Sequence, residues 1–476
     1  MRVALRRAVQ TCYHTTASCR MPVAVAAAAP PARSMSSLHS RAPPATTAAL
    51  PPPSSGASSK GGSAPTLLLL SAEDRAARNA AKLVAISRDF RTDTITVPTE
   101  EQRQALALAS MGDSVYGEDE DTRALEEWIA ELTGMEAALF CASGTMASLS
   151  YRTPFFPRSK TLTYFVVTDS RAHVHMLEAG GIASHSMASV NSVFAANGHH
   201  MTVEEVLDNC TLGDDIHTAP TKLVCVENTL SGMIYPQDEL VRLRRALDEF
   251  DIKLHCDGAR MWEVLAATGM SLQEACAPFH SVSLCLSKGL GAPFGSILAG
   301  PADFIKRATW HRKAFGGGVR QSGSLALAAT ISLQTIFPQL PRTHALARRL
   351  SEGLVDAGVA LDLPTETQMV WIDPAPIGIT MRQLKVAARE RKGITMWEPR
   401  GRLVVHHQVD PQAVEDLIDL VRELRDENRE GAEKWRSETG DERAEEIRRR
   451  SRMYALGQWQ GRVEGPPKRL PAYSKE

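Results

Sequence analysis

From about Ser87 onward, apolar positions along this chain alternate between two periods. In "TRALEEWIAELTG" (residues 122–134), Leu125, Trp128, Ile129 and Leu132 recur at i, i+3, i+4 and i+7, the spacing of one helix face, and Gly134 supplies a stop. "AALFCAS" follows as a short apolar strand, and "GTMASLSY" opens another helix. "TKLVCVEN" (Thr221 to Asn228) predicts a strand. Asp238 to Phe250 predicts a helix with Leu240, Leu243, Leu247 and Phe250 on one face. "IKLHCDGAR" predicts a strand ending near Asp257, and "VSLCLSK" a strand ending at Lys288. Strands alternating with helices predict an α/β fold with a mainly parallel sheet covered on both faces.

A helical stretch, "SGSLALAATISLQTIF" and then "THALARRLSEGLVDAG", leads to a second, smaller alternation. "QMVWID" and "GRLVVHHQ" predict strands, and "TMRQLKVAARER" a helix. "PQAVEDLIDLVRELRDEN" predicts a helix with Val414, Leu417, Ile418, Val421 and Leu424 on one face. The pattern thus predicts a large domain over residues 87–335 and a smaller C-terminal α+β domain over 336–425. Residues 426–476 are dense in Arg and Glu without sustained apolar periodicity and predict a solvated helix or a disordered tail.

Composition adds bounds. The 476 residues are 43% hydrophobic and 23% charged, normal for a globular chain with a large core. A net charge of −1 gives no bulk attraction to nucleic acid. No apolar run approaches the roughly 20 residues that span a bilayer. The charge is unevenly placed: Glu73 is the first acidic residue, and residues 1–72 carry only basic ones, among Ala, Ser, Thr and Pro. Such a leader is either a mitochondrial transit peptide or a low-complexity extension without an address, so the expected compartment is the cytosol or the mitochondrial matrix. In both readings it stands outside the fold. Cys141, Cys225, Cys256 and Cys285 lie in apolar strand-like runs and no CxxC pair occurs, so these thiols read as small buried hydrophobes.

The chemistry gathers at predicted strand ends, where ligands bind in open parallel sheets. Ser143, Gly144 and Thr145 stand between a strand and a helix, which suits an anion site or an ordinary helix cap. Asp257 ends an apolar strand and needs a cation, either a protonated ring nitrogen or the neighbouring Arg260. Lys288 is followed by small residues, which suits a Schiff-base lysine; alone, it would more often be a lysine reaching out to solvent. Glu227 and Asn228 end a further strand. Phosphate cradle, carboxylate and lysine in this chain order describe a site for pyridoxal 5'-phosphate.

The residues also carry a family resemblance. "DFRTDTITVPT", "GDSVYGED", "ASGTMAS", "AHVHMLEAGG", "DDIH", "VENT", "HCDGAR", "LCLSKGLGAPFGS", "RKAFGGGVRQSG" and "GRLVVHH" run in order from Asp89 towards Leu424. The chain resembles the L-threonine aldolases, within the β-eliminating-lyase group of fold-type I pyridoxal phosphate enzymes. The resemblance implies retro-aldol cleavage of L-threonine or L-allo-threonine to glycine and acetaldehyde. It implies that Lys288 carries the cofactor, that Asp257 faces the ring nitrogen, that Gly144, Thr145 and Arg320 bind phosphate, and that His173 stacks on the ring. Thr92, Arg260 and Arg402 match positions that hold the substrate carboxylate. His217 matches a histidine near the β-hydroxyl, leaving His217 or His173 as the base, and Tyr116 lies in a segment lining the site, often the partner subunit's. A homotetramer with shared sites is implied. His175, His199, His200, His406 and His407 occur in pairs or as HxH but lack a third ligand of recognisable spacing, so no metal site is expected. Ala147, Ser148, Leu177, Leu230, Gln368 and Thr92 depart from frequent family residues. The alternative is therefore a related pyridoxal phosphate lyase or aldolase acting on another β-hydroxy-α-amino acid, in a biosynthetic setting.

Overall fold

The computed structural model describes residues 71–148, 164–213, 215–398 and 400–455. The leader lies outside this set apart from its last two residues, as do the far part of the helix expected after Met146 and the end of the tail.

Seven strands form the main sheet: β1 (Ala137–Cys141), β2 (Phe165–Asp169), β3 (Ser189–Val193), β4 (Thr221–Glu227), β5 (Lys253–Gly258), β6 (Ser281–Cys285) and β7 (Ser296–Gly300). Their order is β1-β7-β6-β5-β4-β2-β3. The pairs among β3, β2, β4, β5 and β6 are parallel, whereas β7 runs antiparallel to both β6 and β1. The reversal has a simple cause. Only residues 286–295 join β6 to β7. A parallel return needs a crossover of a dozen or more residues, so the chain folds straight back.

That short return changes the expected place of Lys288. β6 ends at Cys285, and Lys288 stands in the turn beyond it. Leu286 N–H already donates across to the Gly295 carbonyl at 3.1 Å, and Gly291 N–H closes on the Lys288 carbonyl at 2.7 Å. Gly291 takes φ 65°, a left-handed conformation in which a side chain would also strike the His407 ring.

The helices follow the apolar period. In α1 (Glu120–Thr133), Leu125 and Ile129 are buried and Trp128 and Leu132 half-buried, and Gly134 caps the end with φ 68°. In α2 (Gln237–Asp248), Leu240, Leu243 and Leu247 are buried. Phe250 does not join that face: the helix stops at Asp248, and the ring lies beyond it, 41% exposed.

A second, antiparallel sheet has the order β10-β9-β8, from β8 (Ala360–Leu361), β9 (Met369–Asp373) and β10 (Arg402–Val404). It shares a core with α3 (Leu340–Asp356), α4 (Met381–Lys392) and α5 (Pro411–Glu427), whose Val414, Leu417, Ile418, Val421 and Leu424 are all buried. The segment at residues 88–93 is stitched onto this part of the chain: Phe90 N–H donates to the Thr395 carbonyl, and Val404 N–H to that of Phe90, each at 2.8 Å. This strap delivers Thr92 and Asp93 to the site.

The described part of the charged tail is helical and partly packed. α6 (Arg429–Thr439) is followed by α7 (Asp441–Ala455), in which Ala444, Ser451 and Ala455 are buried at i, i+7 and i+11. Ser451 Oγ accepts the N–H of Leu361 at 2.9 Å. Tyr454 is buried as well, and these few positions lie among arginines and glutamates, so periodicity alone suggests solvation.

Candidate active site

Parallel pairing of β4 with β5 sets Glu227 opposite Asp257 at the strand ends. Asp257 is 5% exposed, and its Oδ1 accepts the N–H of Ala259 at 3.1 Å. Burial pushes its pKa up against the opposing charge of Lys288. Glu227 is also pushed up, by burial first and by Asp257 second, although its Oε2 accepts the His173 N–H at 2.7 Å. A buried and a half-buried carboxylate side by side call for positive charge between them.

His173 begins a single helical turn, His173–Met176. Its Nδ1 lies 3.1 Å from Oε1 of the buried Glu178, and this hydrogen bond raises the pKa of the imidazole, outweighing partial burial. His173, Glu178 and Asp257 each bring one atom within 4.8 Å of the others, the one grouping of metal-ligand type among the described residues. The charge of Lys288 acts on Asp257, Glu227 and His173.

The anion cradle meets the same place from β1. Helix begins at Gly144, where the first N–H groups have no intrahelical acceptors, and Ser143 Oγ takes the N–H of Met146 at 3.2 Å. A Cβ on Gly144 would come within 2.9 Å of Cys285 Sγ, so the helix start sits tightly against the end of β6, next to the Lys288 turn.

Arg260 follows β5 and is held by Asp93. Its Nε donates to Asp93 Oδ2 at 2.8 Å and its Nη2 to Oδ1 at 2.7 Å. Asp93 is fully buried; burial opposes its charge, but Arg260, then Lys288 and Arg402, hold its pKa down at about 2. Thr92 Oγ1 accepts the N–H of Thr94 at 3.3 Å, capping the turn that carries Asp93. Arg402 Nη2 donates to the Arg91 carbonyl at 3.3 Å. Thr92, Arg260 and Arg402 therefore gather around Asp93.

Three expected site residues stand apart. The side chains of Arg320 and His217 are 78% and 82% exposed, and Tyr116 is 81% exposed. Arg320 Nε reaches Asp113 Oδ2 at 3.2 Å, and its carbonyl accepts the N–H of Ser114 at 2.7 Å, so Arg320 and the Tyr116 turn share one surface. His217 Nδ1 lies 2.9 Å from Asp215 Oδ1. Nothing ties His217 to the Lys288 cluster among the described residues. Sequence reasoning gave no individual role to Asp93, Glu178 or Glu227. All three lie inside the motifs "DFRTDT", "HMLEAGG" and "VENT", but what isolates Asp93 and Glu178 is burial, which the sequence does not show.

The interior residues fit pyridoxal phosphate on physical grounds. Asp257 is a buried carboxylate on which the charge of Lys288 acts, and the helix start at Gly144 lies against the end of β6, three residues before Lys288.

Comparison with known proteins agrees. A family model described as "Beta-eliminating lyase" matches residues 89–375. The Schizosaccharomyces pombe protein named "Probable low-specificity L-threonine aldolase" is 44% identical over 335 residues, covering 70% of this chain and 86% of that one. The "Low specificity L-threonine aldolase" of Saccharomyces cerevisiae is 40% identical over 341 residues, covering 71% and 86%. Among solved structures, Leishmania major threonine aldolase aligns with a TM-score of 0.61 at 18% identity, over 71% of this chain and 99% of that one, which supports the fold. On its matched residues and on the fold around Lys288, the chain belongs to the β-eliminating lyase family.

Proposed function

We propose that this chain is a pyridoxal-phosphate-dependent aldehyde-lyase that cleaves L-threonine and L-allo-threonine to glycine and acetaldehyde. The observation that carries the reading is the buried Asp257 beside Lys288 and His173 at the ends of parallel strands. The relatives named as threonine aldolases support the substrate class. When bound, pyridoxal phosphate supplies an electron sink for the charge left on Cα as the Cα–Cβ bond breaks.

The chain's own groups do the rest. Lys288 offers the amine for covalent attachment. Asp257 would face the ring nitrogen and keep it protonated. Gly144 and Thr145 would bind the phosphate with Arg320. His173, its imidazole oriented by Glu178, would stack on the ring. Thr92, Arg260 and Arg402 hold the substrate carboxylate, fixing the angle at which the reacting bond stands. His217 or His173 takes the hydroxyl proton, as befits an imidazole near neutral pH. The exposed Tyr116 and Arg320 complete sites across subunit contacts in a homotetramer. No described helix is long and apolar enough to cross a membrane. We place the protein in the cytosol or the mitochondrial matrix, with residues 1–72 as a leader, 87–335 as the cofactor-binding domain and 336–425 as the small domain.

The purified protein with pyridoxal phosphate is expected to release acetaldehyde from both substrates, read by coupled NADH oxidation. Lys288→Ala is expected to release none above background. Undiminished release by Lys288→Ala overturns the lysine assignment, and no release by the unsubstituted protein overturns the reaction.

A further inference from the structure

A guanidinium has two edges that can grip a carboxylate: a side edge made by Nε and Nη2, and an end made by Nη1 and Nη2. Asp93 occupies the side edge of Arg260 with both of its oxygens. The end is then the edge left to face a ligand. Asp93 is itself fixed. It sits on a turn capped by Thr92, it is fully buried, and Gln368 Nε2 approaches its Oδ2 at 3.4 Å. The contact joins the strap at residue 93 to the second residue after β5, across 167 positions of chain. Three cations act on this one carboxylate: Arg260, Lys288 and Arg402.

We propose that Asp93 is a positioning residue for the lyase reaction: it clamps the side edge of Arg260 so that the opposite end meets the substrate carboxylate at a fixed angle. The proposal rests on the reading that Arg260 binds that carboxylate. An arginine side chain carries several rotatable bonds, and a ligand that had to order them would lose selectivity in how it is held. With the clamp, that ordering is complete before the substrate arrives. Asp93 also opposes charge. Without it, Arg260, Arg402 and Lys288 would lose one opposing charge and attract an incoming carboxylate more strongly. Positioning and affinity therefore move in opposite directions when Asp93 is neutralised, and this separates the clamp from a packing role.

The test uses the full-length holoenzyme. Asp93→Asn keeps the shape but removes the charge and one of two acceptor oxygens. Its kcat for acetaldehyde release is expected to fall about tenfold to a hundredfold, the scale of an ångström-level misplacement. Glycine affinity, measured by isothermal titration calorimetry, is expected to hold or tighten. Gln368→Leu leaves every charge in place and loosens only the far side of the clamp. It is expected to lower kcat by about two- to fivefold with glycine affinity again held. It also supplies the answer if Asp93→Asn does not fold. Unchanged kcat in either folded variant overturns the proposal. So does a parallel loss of kcat, glycine affinity and melting temperature, which marks a structural role. If the unsubstituted holoenzyme binds no glycine, the carboxylate reading of Arg260 fails first and takes the clamp with it. If it binds glycine and the variants behave like it, only the clamp fails.

Discussion

The proposed site has two halves built on opposite principles. The interior half comprises Asp257, Glu227, His173, Glu178, Arg260, Asp93 and Lys288, and its geometry is imposed by sheet register, short turns and buried hydrogen bonds. The outer half comprises Tyr116, Arg320 and His217, which stand largely in solvent with partners close in sequence or on the same surface. The interior half concentrates charge where burial makes it expensive, so its members must satisfy one another or a ligand. The outer half is cheap to hold and imprecise as it stands. On the proposed assignment, a single chain carries the floor for the cofactor, and the wall of Tyr116, Arg320 and His217 awaits completion by another chain. The division predicts that interior substitutions act within one chain, whereas outer ones can be complemented by another.

The largest expected effect tests the interior half. Asp257→Asn removes the charge proposed to face the ring nitrogen, and kcat for aldehyde release is expected to fall about 10²- to 10³-fold, the scale of losing one directed electrostatic contact. Stability should move the other way. Burial raises the pKa of Asp257 in the fold despite Lys288. A carboxyl with a raised folded-state pKa favours the fold most below its unfolded pKa and loses that contribution as pH rises through the folded value. The cofactor-free protein should thus be destabilised at neutral pH by this carboxylate. Cofactor-free Asp257→Asn is expected to melt at or above the temperature of the unsubstituted protein at pH 7, by scanning calorimetry. A lower melting temperature would mean that the carboxylate is satisfied within the chain and does not await a cation.

A smaller effect tests the outer half. If Arg320 serves a neighbour's site, chains carrying Arg320→Ala and chains carrying Lys288→Ala should rescue one another when refolded or co-expressed together. Random pairing gives up to about a quarter of full activity, because half of the pairs hold one intact site of two. Separate, inactive proteins whose mixture stays inactive would place Arg320 and Lys288 in the same site of one chain and end the division drawn above.

How far these halves could be read from sequence follows the same line. Asp257 and Lys288 were legible because apolar runs stop abruptly at polar residues, and in a parallel sheet those stops share one edge. The place of Lys288 was legible only approximately, since the turn after β6 depends on β7 folding back against it. The Arg260–Asp93 clamp was not legible, because the pair lies 167 positions apart and neither residue breaks a pattern. Leu240, Leu243 and Leu247 were read correctly from their period, but Phe250 was not, because periodicity does not say where a helix stops. In α7, four buried positions, Ala444, Ser451, Tyr454 and Ala455, were outnumbered by the charges around them. Local rules recover what one element decides alone; what two distant elements decide together appears only in the fold.

The smallest effect sharpens the comparison inside the interior half. Glu178 acts on His173 through one hydrogen bond, the main cause of the raised imidazole pKa. Glu178→Gln keeps a hydrogen-bonding group there but not the charge, so the imidazole should give up its proton at lower pH. Where kcat/KM requires neutral His173 as the base, the acidic limb of its pH profile should shift to lower pH, with little change on the plateau. Where His217 is the base instead, the limb should stay in place, because His217 is exposed and pairs with Asp215, not Glu178. The direction of this one shift therefore decides whether the proton-accepting group belongs to the rigid floor or to the exposed wall. An unmoved limb, together with a loss of activity in His217→Asn, would assign it to the wall.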